Sequence, residues 1–125
     1  HELPDLVQAV MEGVAFAFAD CCAALEQCGS LPDAVWVAGG GSQSETWLRI
    51  IASATGLTLK VPTSGAQGAA LGAARLAMLA TGDLPASEVL STPTTDVVHE
   101  ADPTLAAAYK ARYADYRAAW NSTKT

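Results

Sequence analysis

The stretch that decides the fold runs Ala34-Val35-Trp36-Val37-Ala38-Gly39-Gly40-Gly41-Ser42-Gln43-Ser44-Glu45-Thr46-Trp47-Leu48-Arg49-Ile50-Ile51-Ala52. Its first five residues are a short apolar run between breakers, which predicts a buried strand covered on both faces. Three glycines end it abruptly and let the backbone take positive φ or approach a neighbour closely. Ser42-Gln43-Ser44-Glu45 fits a capping box, with Ser42 as the cap. Trp47, Leu48, Ile50, Ile51 and Ala54 follow at helical spacing, and Gly56 supplies the stop. In open α/β sheets such a strand–bend–helix unit places ligands beyond the carboxyl ends of the strands. The helix start offers unpaired N–H groups and a positive dipole end, which suit a nucleotide phosphate or ribose. The same residues serve equally as a tight turn with no ligand. The run is not G-x-x-x-x-G-K-[ST], nor G-x-G-x-x-G followed by a ribose-binding acid.

Upstream, Leu3, Leu6, Val7, Val10, Met11, Val14, Phe18, Cys21, Leu25 and Cys28 repeat at three- and four-residue spacing. They predict one face of a long amphipathic helix from Leu3 to Cys28, with Pro4 in its first turn and Gly29 as its stop. Leu31-Pro32-Asp33 reads as a turn. Downstream, Leu57-Thr58-Leu59-Lys60-Val61 alternates as a strand, closed by Pro62. Ser64 and Gln67 form a second capping box before an alanine- and glycine-rich helix from about Gly65 to Thr81, stopped by Gly82. Leu84 to Ala101, interrupted by Pro85 and Pro93, reads as an extended connector with at most one short turn. Asp102 as cap and Pro103 at the first position open a last helix carrying Leu105, Tyr109, Tyr113, Tyr116 and Trp120. The order helix, strand, helix, strand, helix, connector, helix points to an α/β class with parallel pairing and helices packed on a small sheet. Two strands make a poor independent sheet, so further strands are expected from sequence upstream.

The 125 residues suit one domain, half of them hydrophobic and 16% charged, which excludes a disordered tail. A net charge of −6 repels phosphate backbones and argues against a nucleic-acid partner. Cys21, Cys22 and Cys28 are odd in number; Cys21 and Cys28 lie about 10 Å apart along one helix, too far for a bridge. They are expected as small buried hydrophobes in a reducing cytosol. No secretory signal is visible, and no uncharged run is long enough to span a bilayer. The chain opens at His1 and enters a helical pattern at once, as a fragment or processed chain would.

Other residues have bland readings. Gly68, Ala69, Gly72 and Ala73 suit close helix packing, Glu12 an ion pair or polar contact, and the Tyr/Trp stripe core or interdomain packing rather than base stacking. His1 and His99 are isolated surface residues, with no second ligand spaced for a metal site.

Three blocks in order resemble the FGGY family of carbohydrate kinases, in its xylulose kinase branch. Gly39 to Ala52 is similar to that branch's adenosine-motif segment, a Gly-Gly-Gly-Ala-Lys-Ser run before a Trp-Arg helix. Asp5 to Phe16 is similar to the end of the family signature, and Gly65 to Ala74 to its Gly/Ala helix. The final helix with Tyr113 and Tyr116 looks like the family's C-terminal end. The resemblance implies that residues 1–125 are the C-terminal nucleotide-binding portion of a two-domain sugar kinase, part of an actin-like (ribonuclease H-like) ATPase domain. It implies ATP in the interdomain cleft, with Gly40 and Gly41 at the adenosine and α-phosphate, Gly39 shaping the turn and Ser44 near the base. It also implies a γ-phosphoryl transfer to a sugar hydroxyl, D-xylulose giving xylulose 5-phosphate, in the cytoplasm. The catalytic aspartate, the sugar contacts and most Mg²⁺ contacts would lie in the rest of the same chain, leaving this portion inactive alone; a homodimer is compatible with it. Gln43 stands where those kinases often have Lys, and Ser53 where they often have Asp. The competing reading is a non-catalytic actin-like module that senses nucleotide or scaffolds an assembly, with its sheet edge paired to a partner.

Overall fold

A computed structural model describes residues 2–63 and 65–123. Its elements are α1 (Leu3–Gln27), β1 (Ala34–Trp36), a 3₁₀ turn (Gly40–Gln43), α2 (Glu45–Thr55), β2 (Thr58–Pro62), a second 3₁₀ turn (Gly65–Gln67), α3 (Gly68–Thr81), α4 (Ala86–Val89), β3 (Thr95–His99) and α5 (Pro103–Ser122). The sheet order is β1-β2-β3. β1 and β2 pair in parallel, with Val35 opposite Leu59, so β1–α2–β2 is a crossover unit. The α/β expectation of helices on a small sheet holds.

Helix ends follow local chemistry. Pro4 sits in the first turn of α1, where a missing N–H costs nothing. Asp102 Oδ1 accepts from the N–H groups of Thr104 and Leu105 at 2.9 and 3.2 Å and starts α5 as expected. Gly29, Gly56 and Gly82 all take positive φ just past a helix. The Ser64–Gln67 capping box and His1 fall on or across residues outside those described.

α2 joins two cores. Ile50 meets Ala15 and Phe16 of α1 and Tyr109 of α5, flanked by Met11, Trp47, Tyr113 and Tyr116. Leu48 and Ala52 meet Leu57 and Leu59, flanked by Val35, Val37 and Val61 of the sheet. The Tyr stripe of α5 thus packs as expected up to Tyr116, whereas Trp120 stays 56% exposed. Phe16 meets the Tyr109 ring edge-on at 5.5 Å between centroids.

Two polar clamps tie α1 to α5. The buried Glu12 carboxylate accepts from Arg112 Nη1 through both oxygens at 2.9 Å, from the Tyr109 hydroxyl at 3.2 Å and from Gln8 Nε2 at 2.8 Å. Asp20 accepts from the Tyr113 hydroxyl and pairs with Arg117 Nε at 3.4 Å. The polar role read for Glu12 is therefore an ion pair across the helix interface. Burial, reinforced by the Glu12 charge, pushes the Tyr109 phenol up to about 12.

Five expectations are corrected. The connector 84–101 contains α4 and a third strand, β3, antiparallel to β2 with Val97 opposite Val61. Thr95 and the pair Val97-Val98 are β-branched and fit a pleated surface, a signal that Pro93 conceals. β1 is covered on one face: Val35 and Val37 lie against α2, while Trp36 remains 46% exposed. Cys21 and Cys28 are exposed rather than buried, whereas Cys22 is half-buried and packs against the cluster of Leu48, Ala52, Leu57 and Leu59. Most of the apolar stripe of α1 points outward; the buried face is Glu12, Ala15, Phe16 and Ala19. α1 is long and apolar enough to cross a bilayer by length and composition, but its inner face is spent on α2 and α5. His99 is half-buried on β3 rather than a free surface residue.

Arg112→Ala leaves the Glu12 carboxylate without its cation and is expected to lower stability by about 1–3 kcal/mol, measured by urea unfolding. Adding Glu12→Gln should recover part of the loss. The folded-state phenol of Tyr109 titrates above its unfolded value of 10.0. Its contribution is full below pH 10 and fades as pH rises towards 12. The alkaline fall in stability between those limits should shrink in Tyr109→Phe, and absorbance of tyrosinate should show one phenol titrating late.

Candidate functional site

The parallel strands β1 and β2 both end in glycine bends, and the two bends interlock. Gly39 takes φ 98°, ψ 177°, a conformation open essentially to glycine alone. Its N–H donates to the Gly65 carbonyl at 2.6 Å across the gap between the strands. Its carbonyl accepts from the Ser42 N–H at 3.0 Å and from Ser42 Oγ at 2.7 Å. Ser42 is buried beneath the turn, so it is not the helix cap expected from the sequence. Ser44 caps α2 instead, its Oγ accepting from the Trp47 N–H at 3.3 Å. Ser44 has Trp47 rather than Glu or Gln three residues on, so the sequence pattern favours Ser42; burial of Ser42 leaves Ser44 for the cap.

Close approach explains two further glycines. A Cβ on Gly68 would sit 2.6 Å from the Ala38 Cβ, nearer than carbon atoms can stand. A Cβ on Gly65 would crowd Ser42 Oγ at 3.2 Å. α3 therefore begins with its backbone against the end of β1, and the close packing expected of the small-residue face is met at Gly68. Gly72 has open space around it.

Gly40 and Gly41 are the exposed part of the bend. A Cβ on Gly40 would meet nothing within 4 Å, whereas one on Gly41 would reach the Trp47 ring at 3.3 Å. The first N–H bonded inside the turn is that of Ser42, so the Gly40 and Gly41 N–H groups have no acceptor within it. The structure thus gathers Gly39, Gly40, Gly41 and Ser44 at one place, in distinct jobs: Gly39 shapes the backbone, Gly40 and Gly41 present it, and Ser44 is occupied in the cap. Gly65 and Ser42 are the supports that sequence reasoning missed. Nothing in their local pattern signals contact across a gap between strands.

This surface can receive an anion or a polar edge through backbone N–H groups, aided by the start of α2. Gly39, Gly40 and Gly41 themselves supply no acid or base; the nearest carboxylate in sequence is Glu45, in the first turn of α2. Among the described residues no group of three or more His, Cys, Asp or Glu is placed to hold a metal ion.

This architecture has known counterparts. Residues 1–81 match the FGGY family of carbohydrate kinases, C-terminal domain. The chain is 37% identical over 118 residues to the xylulose kinase of Escherichia coli, covering 94% of this chain and 24% of that one. It is 41% identical over 83 residues to the xylulose kinase of Klebsiella pneumoniae, covering 66% of this chain and 17% of that one. Among solved structures, a xyloylose kinase from Brucella ovis superposes with a TM-score of 0.79 at 37% identity, over 95% of this chain and 25% of that chain. The xylulose kinase from Rhodospirillum rubrum gives 0.74 at 29% identity, over 98% of this chain and 25% of that chain. The chain spans about a quarter of the length of these Escherichia coli and Brucella ovis relatives. The crossover unit and its mixed sheet are part of the actin-like ATPase fold, and the chain belongs to the FGGY family of carbohydrate kinases, in its C-terminal domain.

Proposed function

We propose that residues 1–125 are the nucleotide-binding portion of a two-domain sugar kinase, holding ATP while its γ-phosphoryl group passes to a sugar hydroxyl. The observation that carries this reading is the open backbone of Gly40 and Gly41 at the joined carboxyl ends of two parallel strands. Ligands of open α/β sheets bind at such ends. Gly40 and Gly41 would donate to the adenosine and α-phosphate region, with Gly39 fixing the bend and Ser44 beside the base. The relatives named xylulose kinase support xylulose as the substrate; the D-sugar, giving xylulose 5-phosphate, is the form proposed here.

The division of labour follows from what the chain offers. Its residues position the nucleotide, which lowers the entropic part of the barrier. The base that takes the sugar proton would come from the remainder of the polypeptide, as would the sugar contacts. Mg²⁺, when bound, neutralises charge on the phosphates, and its ligands would lie there too. This portion alone is therefore inactive. A cytoplasmic setting, where ATP and the pentulose meet, fits the reading.

Gly40 makes a clean probe because a Cβ there would meet nothing within 4 Å. In the full-length polypeptide, Gly40→Val should leave thermal stability within about 0.5 kcal/mol of the parent. Calorimetric titration with ATP should show affinity at least ~10-fold weaker, equal to about 1.4 kcal/mol. Gly39→Val should instead cost about 1–3 kcal/mol of stability through backbone strain. Unchanged affinity in Gly40→Val would refute the placement of the nucleotide. A panel of pentuloses and hexuloses on the intact enzyme tests the substrate.

A further inference from the structure

Gly40 and Gly41 are both exposed, but the fold makes different demands on them. Of the three glycines in the bend only Gly39 takes positive φ, so backbone conformation does not require glycine at 40 or 41. A Cβ on Gly40 would meet nothing, whereas one on Gly41 would stand 3.3 Å from both Cδ1 and Nε1 of Trp47. Position 41 is therefore glycine to admit an indole ring. The Cδ1–Nε1 edge of that ring borders the bend.

Trp47 is held there from two directions. Its backbone N–H donates to Ser44 Oγ at 3.3 Å. Its ring is half-buried against the cluster of Ala15, Phe16, Ile50 and Tyr109. Among the described residues the indole N–H has no acceptor, and no buried side-chain nitrogen or oxygen goes without one. The indole N–H is thus open to solvent. It is a donor with no accepting capacity, on a ring that packing keeps in one place. A tryptophan N–H in a partly buried setting ordinarily finds a partner.

We propose that the partner is the nucleoside half of the nucleotide, and that Trp47 Nε1–H donates to a ribose oxygen or a base nitrogen at the Gly41 end of the bend. Both kinds of atom are neutral acceptors, suited to an uncharged donor. Glu45 stands between the cap and Trp47, in the first turn of α2, and sets a like charge against phosphate at this end. The phosphates are left to the Gly40 side. The inference rests on the nucleotide reading of the bend and adds to it a side-chain contact and a direction.

The test is calorimetric titration of the full-length polypeptide with adenosine, ADP and ATP, in the parent, Trp47→Phe and Gly40→Val. Phenylalanine keeps an aromatic ring and removes the donor. Trp47→Phe should weaken all three ligands by the same factor, about 5–10-fold, the worth of one neutral hydrogen bond. A loss confined to ADP and ATP overturns the proposal, because the donor then faces phosphate. Unchanged affinity in Trp47→Phe beside weakened ATP binding in Gly40→Val overturns the indole contact alone; unchanged affinity in both overturns the nucleotide reading as well. A second measurement needs no folded variant as binding partner. In the ¹⁵N-labelled parent, the Trp47 indole N–H signal, assigned by its loss in Trp47→Phe or Trp47→Tyr, should shift and exchange more slowly with solvent when adenosine is added. A signal that adenosine leaves in place and equally exchangeable contradicts the proposal.

Discussion

The structure hangs on the two-sided burial of α2. Leu48 and Ala52 press on the parallel pair β1–β2, and Ile50 presses on α1 and α5. One eleven-residue helix thus fixes both the crossover unit and the helical layer outside it. Its start cannot move without dragging the glycine bend, because Ser44 is at once the cap of α2 and the residue that closes the 3₁₀ turn. Interior packing is dense and intolerant of shifts, so the bend inherits its rigidity from apolar contacts several residues away.

Rigidity of the bend is then completed by main-chain contact. The Gly39–Gly65 hydrogen bond and the near-touch of Gly68 on Ala38 lock the ends of β1 and β2 together. The consequence is a surface made of backbone rather than side chains. Such a surface approaches a ligand closely and spends no side-chain entropy in doing so. Its exposed glycines carry no titrating group, which fits a part that positions a nucleotide and leaves proton transfer to residues elsewhere in a longer chain.

Much of this was legible in the residues. Val35 to Ile51 dictates strand, bend and helix; Pro4, Asp102 and Pro103 mark starts, and Gly29, Gly56 and Gly82 mark stops. What escaped depends on contact between distant residues. Spacing shows that α1 has an apolar stripe but not that Ala15, Phe16 and Ala19 face inward while Val10 and Phe18 face out, since both sets repeat at helical intervals. β3 was hidden because Pro93 and the Ser/Thr-rich approach read as loop. Ser42 and Ser44 compete for one role, and only burial decides. Ser53, which stands where the family often has Asp, accepts from the Asp102 N–H at 3.1 Å and anchors the start of α5.

The central claim is that the exposed Gly40–Gly41 backbone holds ATP. The most direct measurement is a crystal structure of the full-length polypeptide with ADP or a non-hydrolysable ATP analogue. The account predicts ribose or α-phosphate oxygens within hydrogen-bonding distance, about 2.7–3.2 Å, of the Gly40 or Gly41 nitrogen. A nucleotide bound elsewhere, with side chains of another segment lying over the bend, would contradict it.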